Sequence, residues 1–429
     1  MKKLILILLL INNIFSKNET KIAQWTILTY IQANNDLHEY AHYSISHMQA
    51  GMQNSNGVNI IFEWDHIKTN KIKRCKIVPG EIELDSSFTK NKIKSHVDAL
   101  VDSFSWAQKK YPAENYMLIL WNHGTGVLDY DETYKSCLMH GRLLSFKKLN
   151  QIESPMDKQL LNRGILMDES RNTLFTNQNL SDALNQIKIN LGKKIDILVM
   201  DACYMQMLEV AYQVKDSAQF LVASQEYESG EGLPYGTFIY TLTMNSGNMN
   251  ALNLSQCIVS WYDNFYKNKQ NHAWYTYSAI DLSLVDNVKE NIKELLQSIE
   301  DCKKIDKKNT YEIVTQARRS THEFYWTEYI DLYSFYDELL DNIESNLQKN
   351  EEALKNQLFK TALIKLNSVI KKGLLKIKKV IIANAIGSTQ KYAYGLSIYY
   401  PIKDAVHESY LKTSFDKDTN WNKFVNEFK

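Results

Sequence analysis

Five short apolar runs punctuate residues 25–225 of this chain: WTILTYI (25–31), VNIIFEW (58–64), YMLILWN (116–122), IDILVMD (195–201) and FLVASQ (220–225). Runs of this length between polar segments read as strands buried on both faces. Between them, SHVDALVDSFSWAQKKY (95–111) repeats its apolar residues at three and four, the period of an amphipathic helix. Strand, helix, strand alternation predicts an α/β fold built on a mostly parallel sheet flanked by helices. From 286 to 375 the texture changes to Lys, Glu, Asn and Leu in helical period, which predicts an added helical subdomain with solvated charged faces. KVIIANAI (379–386) and GLSIYYP (395–401) then return as strands, expected at the sheet's edge. The resulting plan is a sheet-based domain over 24–285, helices over 286–375, returning strands over 376–402 and a tail over 403–429.

With 429 residues, 44% of them hydrophobic, the chain can bury a large core. Its 50 basic and 49 acidic residues leave a formal charge of +1, so nothing in the bulk electrostatics points to nucleic acid. The start, MKKLILILLLINNIFSKNET, has two lysines, a short apolar stretch and then polar residues, which predicts a signal peptide over 1–16 and export to the periplasm or medium. No later run reaches membrane-spanning length, so no stable membrane insertion is expected. Cysteines 75, 137, 203, 257 and 302 are scattered without a CxxC pair, which argues against both a zinc knuckle and a dense disulfide framework. An odd number in an exported chain leaves room for one reactive thiol.

The chemistry gathers where two of the strands stop. His123 follows YMLILWN and Cys203 follows IDILVMD, so an imidazole and a thiol reach the carboxyl end of one sheet, where such folds hold their ligands. Met207, Val210, Ala211 and Val214 follow helical spacing, which predicts Cys203 at a helix start whose N–H groups favour a thiolate. His123 then serves as base and later as acid, and the N–H groups of Gly124 and Cys203 form an oxyanion hole. Each signal alone is weak, because buried cysteines and His-Gly turns are common.

The strings YPAENYMLILWNHGTG, DILVMDACYMQMLEVAYQV, VASQEYESGEGLPYG and YGLSIYYP, in that order, resemble the clostripain family of cysteine peptidases from about Trp25 to Pro401. The resemblance implies a caspase-like fold shared with gingipains and legumains, a His123–Cys203 dyad, and cleavage of peptides after Arg or Lys. It implies that Asp201 helps form the basic-specific pocket, with Glu231 standing where the family usually has Asp. A helix-capping role for Asp201 and a solvated-loop role for Glu231 are the bland alternatives. The resemblance also implies a proenzyme cut between histidine and cysteine, here in the polar connection 127–163, with Lys135, Arg142, Lys147 and Lys148 as leading sites and a monomer of associated fragments as the processed form. Some relatives use calcium; Asp129, Asp131, Glu132, Asp168 and Glu169 are oxygen donors without EF-hand spacing. No cofactor is required for the dyad's chemistry. Tyr204 and Val127 depart from the family's usual residues, which bears on subsites rather than on the dyad.

Two rivals remain. His38, Glu39 and His42 spell HEYAH, the HExxH pattern of zinc peptidases. A zinc peptidase needs a third ligand on a following element, and none is evident, so the motif reads as the solvated face of the first helix. The other rival is a caspase-like protein that has lost catalysis and binds basic peptides.

Overall fold

A computed structural model describes residues 22–67, 69–90, 95–129, 165–168, 173–269, 272–349 and 356–429. The expected signal peptide and the four processing sites lie outside these residues.

The chain enters on β1 (Ala23–Ala33), turns through helix α1 (His38–Gly51), and returns on β2 (Val58–His66). A hairpin of β3 (Lys71–Val78) and β4 (Glu81–Thr89) follows, then helix α2 (His96–Lys110) and β5 (Ala113–Trp121). Short strands β6 (Ile165–Asp168) and β7 (Thr173–Phe175) precede helix α3 (Asn177–Leu191), β8 (Ile195–Asp201), helix α4 (Leu208–Val214) and β9 (Ala218–Ala223). Helices α5 (Tyr235–Asn245) and α6 (Ala251–Tyr266) lead to β10 (Thr276–Asp281). Then come α7 (Val285–Ile305), α8 (Lys307–Ser320), β11 (Tyr329–Asp331), α9 (Leu332–Lys349), α10 (Gln357–Val380), β12 (Ile381–Ile386) and β13 (Ser397–Tyr399).

Nine strands form one sheet in the order β12-β10-β9-β8-β5-β1-β2-β3-β4. The central five, β9 to β2, are parallel, and the flanking pairs are antiparallel. The mostly parallel α/β architecture read from the sequence is therefore the observed one. Strand alternation explains its two cores. Leu28, Tyr30, Leu118, Leu120, Leu198 and Met200 face one side, and Ile27, Ile31, Met117, Ile119, Ile197 and Val199 the other. The first side packs on α2, α3 and α7 to α10, the second on α1, α5 and α6.

Two features differ from the expected plan. The helices of 285–380 share one continuous buried cluster with the sheet, so they cover a face of it and have no core of their own. Of the two returning strands, β12 does join the edge, but 395–401 does not. Ser397 N–H donates to the Gln206 carbonyl (3.0 Å) and β13 pairs with β11, which draws this segment to the far side of the Cys203 loop. No helix among the described residues is long and apolar enough to cross a membrane.

The clamp that holds β13 is a buried acid. Glu209 Oε1 accepts from Tyr399 N–H (2.9 Å) and Tyr410 O–H (3.1 Å), and burial pushes its carboxyl up to about 7. Burial likewise raises Glu226 to about 7 and Asp331 to about 6. A carboxyl raised in the folded state adds stability that is complete below its ordinary value and is lost as pH rises through the folded value. For Glu209 alone this is on the order of 3 kcal/mol. The melting temperature is expected to fall between pH 4.5 and pH 8, with a shallower slope in Glu209→Gln; an unchanged slope would remove Glu209 from the account.

Candidate active site

β5 and β8 are parallel neighbours with Trp121 opposite Asp201. Strands in a sheet lie about 4.8 Å apart, and His123 and Cys203 each stand two residues beyond this pair. The chain ends of the two strands stay joined, since Asn122 N–H donates to the Asp201 carbonyl (3.4 Å). His123 and Cys203 thus leave the sheet at the same level of adjacent strands. Both are buried, at 8% and 6% exposure.

His123 is held from the β1 side. Its Nε2 lies 2.7 Å from Asp36 Oδ1, three residues past the end of β1, and its N–H donates to Asn122 Oδ1, which also accepts from Asn35 Nδ2 (2.8 Å). A carboxylate partner fixes the Nε2–H tautomer and leaves Nδ1 as the basic nitrogen. Sequence reading missed Asp36. The signal was available, because the polar trio Asn34, Asn35 and Asp36 stands at the end of the strand beside β5, as His123 and Cys203 stand at theirs.

Cys203 does not begin a helix. Helix α4 starts five residues later, at Leu208, and is only seven residues long. Tyr204 adopts a left-handed conformation (φ 62°), its N–H donates to the Glu226 carbonyl (3.1 Å), and Gln206 N–H donates to the Ser224 carbonyl (2.9 Å). These cross-loop bonds tie the turn at Tyr204 and the residues after it to the end of β9 and delay the helix. The thiol is met by a backbone donor instead: Glu228 N–H points at Cys203 Sγ at 3.2 Å. The Tyr204 ring stacks on Trp326, with centroids 4.6 Å apart at 12°.

Gly124 is required by a close approach. A Cβ there would lie 2.3 Å from the Cys203 carbonyl oxygen and 3.0 Å from Ala202 Cβ, so the two strand-end loops touch where the sequence placed an oxyanion hole.

Asp201, Glu228 and Glu231 have different surroundings. Asp201 is fully buried, accepts from Tyr235 O–H (2.9 Å), and is pressed by Gly232 (φ 59°), where a Cβ would come within 2.6 Å of Oδ1. It caps no helix, since the next one begins seven residues on. Glu231 is about one-third exposed and paired with the Lys269 ammonium, which also lies 3.9 Å above the Phe265 ring. Glu228 is fully buried, and sequence reading missed it: Glu226, Glu228 and Glu231 crowd one short segment, and only the fold separates them.

Of the oxygen donors considered for calcium, Asp129 is engaged by Asn177 N–H (3.0 Å) and Nδ2 (3.1 Å). Asp131, Glu132 and Glu169 lie outside the described residues, as does the Asp168 side chain. Cys75, Cys257 and Cys302 are free thiols, while Cys137 lies outside the described residues.

The parallel sheet, with an imidazole and a thiol at the ends of neighbouring strands, defines an α/β protein of the cysteine-peptidase type. The clostripain family model matches residues 29–153 and 147–428, and the chain belongs to the clostripain family. It is 24% identical over 272 residues to clostripain of Hathewaya histolytica, an alignment spanning 56% of this chain and 46% of that protein, less than half the relative's length. A secreted cysteine protease from Bacteroides thetaiotaomicron, solved with an irreversible peptide inhibitor, shares the fold (TM-score 0.62, 18% identity) over 93% of this chain and 99% of its own. An inactive zymogen protease from Parabacteroides distasonis does so with a TM-score of 0.57 and 18% identity over the same shares of the two chains.

The contacts around the thiol are testable by alkylation. Asp36→Ala is expected to slow iodoacetamide labelling of Cys203 roughly 10-fold or more at neutral pH, because the imidazole loses its orienting carboxylate. Gly124→Ala is expected to slow it further through displacement of the Cys203 loop. Wild-type labelling rates in both variants, read by peptide mass, would sever these contacts from thiol reactivity.

Proposed function

We propose that this chain is an exported cysteine endopeptidase that cleaves peptide bonds after Arg or Lys, with Cys203 as nucleophile and His123 as general acid and base. The observation that carries this reading is the register of β5 on β8, which sets the two side chains level within a family match that spans both.

In this reading His123 Nδ1 takes the Cys203 proton, and the ion pair is held between Asp36 at Nε2 and the Glu228 N–H at the sulfur. The thiolate attacks the scissile carbonyl, and the resulting oxyanion is met by N–H groups of the Gly124 and Cys203 loops. Collapse breaks the C–N bond as the imidazolium protonates the leaving amine, leaving a thioester on Cys203. His123 then deprotonates water, which hydrolyses the thioester, releases the carboxylic acid product and restores the thiol. The chemistry uses no cofactor, and assays with and without chelator read any calcium requirement.

Asp201 is the residue assigned to the substrate's cationic side chain. Burial supports this, since a cation entering beside a buried carboxylate forms a charge-assisted pair in a desolvated site. Glu231 already has a cationic partner in Lys269, which makes it the secondary contributor. Self-activation within 127–163 and export after a signal peptide over 1–16 belong to the same proposal, supported by the secreted and zymogen relatives.

Cys203→Ala is expected to reduce turnover of an Arg-containing amide at least about 10⁴-fold and to remain a single chain by intact mass where wild type yields two associated fragments. Retained turnover would overturn the nucleophile assignment, and a bound but uncleaved basic peptide in wild type would favour the non-catalytic binding protein. Asp201→Asn is expected to lower kcat/KM for Arg substrates roughly 30- to several-thousand-fold while affecting a neutral peptide far less. Equal losses on both would make Asp201 a positioning residue for Cys203.

A further inference from the structure

The HEYAH motif stays outside this chemistry, yet the fold supplies what the sequence lacked. His38 and His42 are spaced i, i+4, so they share one face of α1 at its first turns. His66 is the last residue of β2 and stands in register with Ala33 at the end of β1, which brings it to the carboxyl edge of the sheet beside that helix face. His42 Nε2 and His66 Nε2 face each other at 3.3 Å, with ring centroids 5.2 Å apart. Two Zn–N bonds of about 2.0–2.1 Å at a tetrahedral angle put their nitrogens about 3.3–3.4 Å apart. The His38 ring centroid is 5.9 Å from that of His66.

We infer that His42 and His66, joined by His38, form a binding site for a transition-metal dication of the Zn²⁺ class, separate from the thiol chemistry. Among the described residues no three such donors have already converged on one point, so the site is a preformed pair that a third ligand completes. His38 Nδ1 lies 3.2 Å from the Asn35 carbonyl oxygen, an outer contact of the kind that leaves the other nitrogen, Nε2, to a metal. Nε2 now sits 3.0 Å from Glu39 Oε1, a carboxylate 68% exposed, and so weakly held that pairing costs little to give up.

The surroundings fit a built site. The Trp64 ring meets both His42 and His66 edge-on, at 4.8 Å and 4.9 Å, and fixes their planes. The backbone of His66 is anchored by Lys90, whose ammonium donates to the His66 carbonyl (2.9 Å) and pairs with Asp65 (2.6 Å). A cleft of about 190 Å³ lined by His42, Trp64, His66, Thr69, Lys71 and Lys73 gives entry from solvent. Lys71 and Lys73 at its mouth oppose a bare dication and favour a metal that carries an anionic ligand, hydroxide or chloride, in its open position. No hydrolytic step is assigned to this site.

The test is Zn²⁺ titration by calorimetry at pH 7.5 in a Cys203→Ala background, which removes the nucleophilic thiol as a competing ligand. One equivalent is expected to bind, with affinity at least 100-fold weaker in His66→Gln and in His42→Gln, and about 10-fold weaker in His38→Gln. His42 is exposed, so its variant tests the site without touching the core. Co²⁺ in place of Zn²⁺ is expected to give the visible absorption of a tetrahedral N-ligated ion, absent in His42→Gln. Failure to bind either metal, or binding unchanged in His42→Gln and His66→Gln with melting temperatures preserved, would overturn the site.

Discussion

β5 and β8 hydrogen-bond as parallel strands with Trp121 opposite Asp201, and that register governs what can meet at the edge of the sheet. Side chains alternate with period two, so a slip of one residue would turn Asp201 from the Tyr235 side to the other core and move Cys203 off the level of His123. The interleaved burial of Met117, Ile119 and Trp121 against Ile197 and Val199 on one face, and of Leu118 and Leu120 against Leu198 and Met200 on the other, makes such a slip costly on both faces at once. Gly124 adds a steric lock, because it admits the Cys203 carbonyl where any larger residue would force the loops apart.

The thiol's surroundings are built by loops rather than by a helix. A non-glycine residue at φ 62° stores strain of about 1–3 kcal/mol, and Tyr204 carries it immediately after Cys203. The compensation is visible: its ring is stacked on Trp326 and set edge-on to Tyr329, and its N–H is bonded to the Glu226 carbonyl. The same turn points the next residues across to β9 and β13, so the distant segments 224–228 and 395–399 become walls of the loop. A helix dipole would have supplied a diffuse positive end; here the 224–228 segment directs the Glu228 N–H at the sulfur.

How much of this was legible follows from the range of the forces involved. Strands buried on both faces announce themselves by composition, and IDILVMD maps onto β8 from Ile195 to Asp201 without adjustment. The β3–β4 hairpin escaped notice because KIKRCKIVPGEIELDSSFT alternates polar and apolar residues at an exposed sheet edge, where one face meets water. His123 and Cys203 were readable as strand-end residues, and Asp36 was open to the same logic. The start of α4 was misread because Met207, Val210, Ala211 and Val214 do have helical spacing, while the left-handed Tyr204 that delays the helix has no signature in a non-glycine residue. Glu228 and His66 owe their positions to contacts 25 and 24 residues away in the chain, which local pattern does not encode.

The surroundings of Asp201 and Glu231 bear on why, in the proposed specificity, the first would carry a selectivity that the second would not. An exposed ion pair contributes about 0–1 kcal/mol because water and salt screen it, and Glu231 with Lys269 is only partly shielded. A substrate cation arriving there must displace a cation already in place, so the net gain is the difference between two similar pairs. Asp201 is fully buried behind the Gly232 turn, where the neutral Tyr235 hydroxyl is one of its donors. A guanidinium or ammonium brought to that carboxylate replaces a neutral donor with a charged one in a medium of low polarity, and the electrostatic gain there is several times that at the rim. Conversely, a neutral side chain would gain nothing from a carboxylate there, so in the proposed specificity discrimination would arise from Asp201's surroundings as much as from its identity.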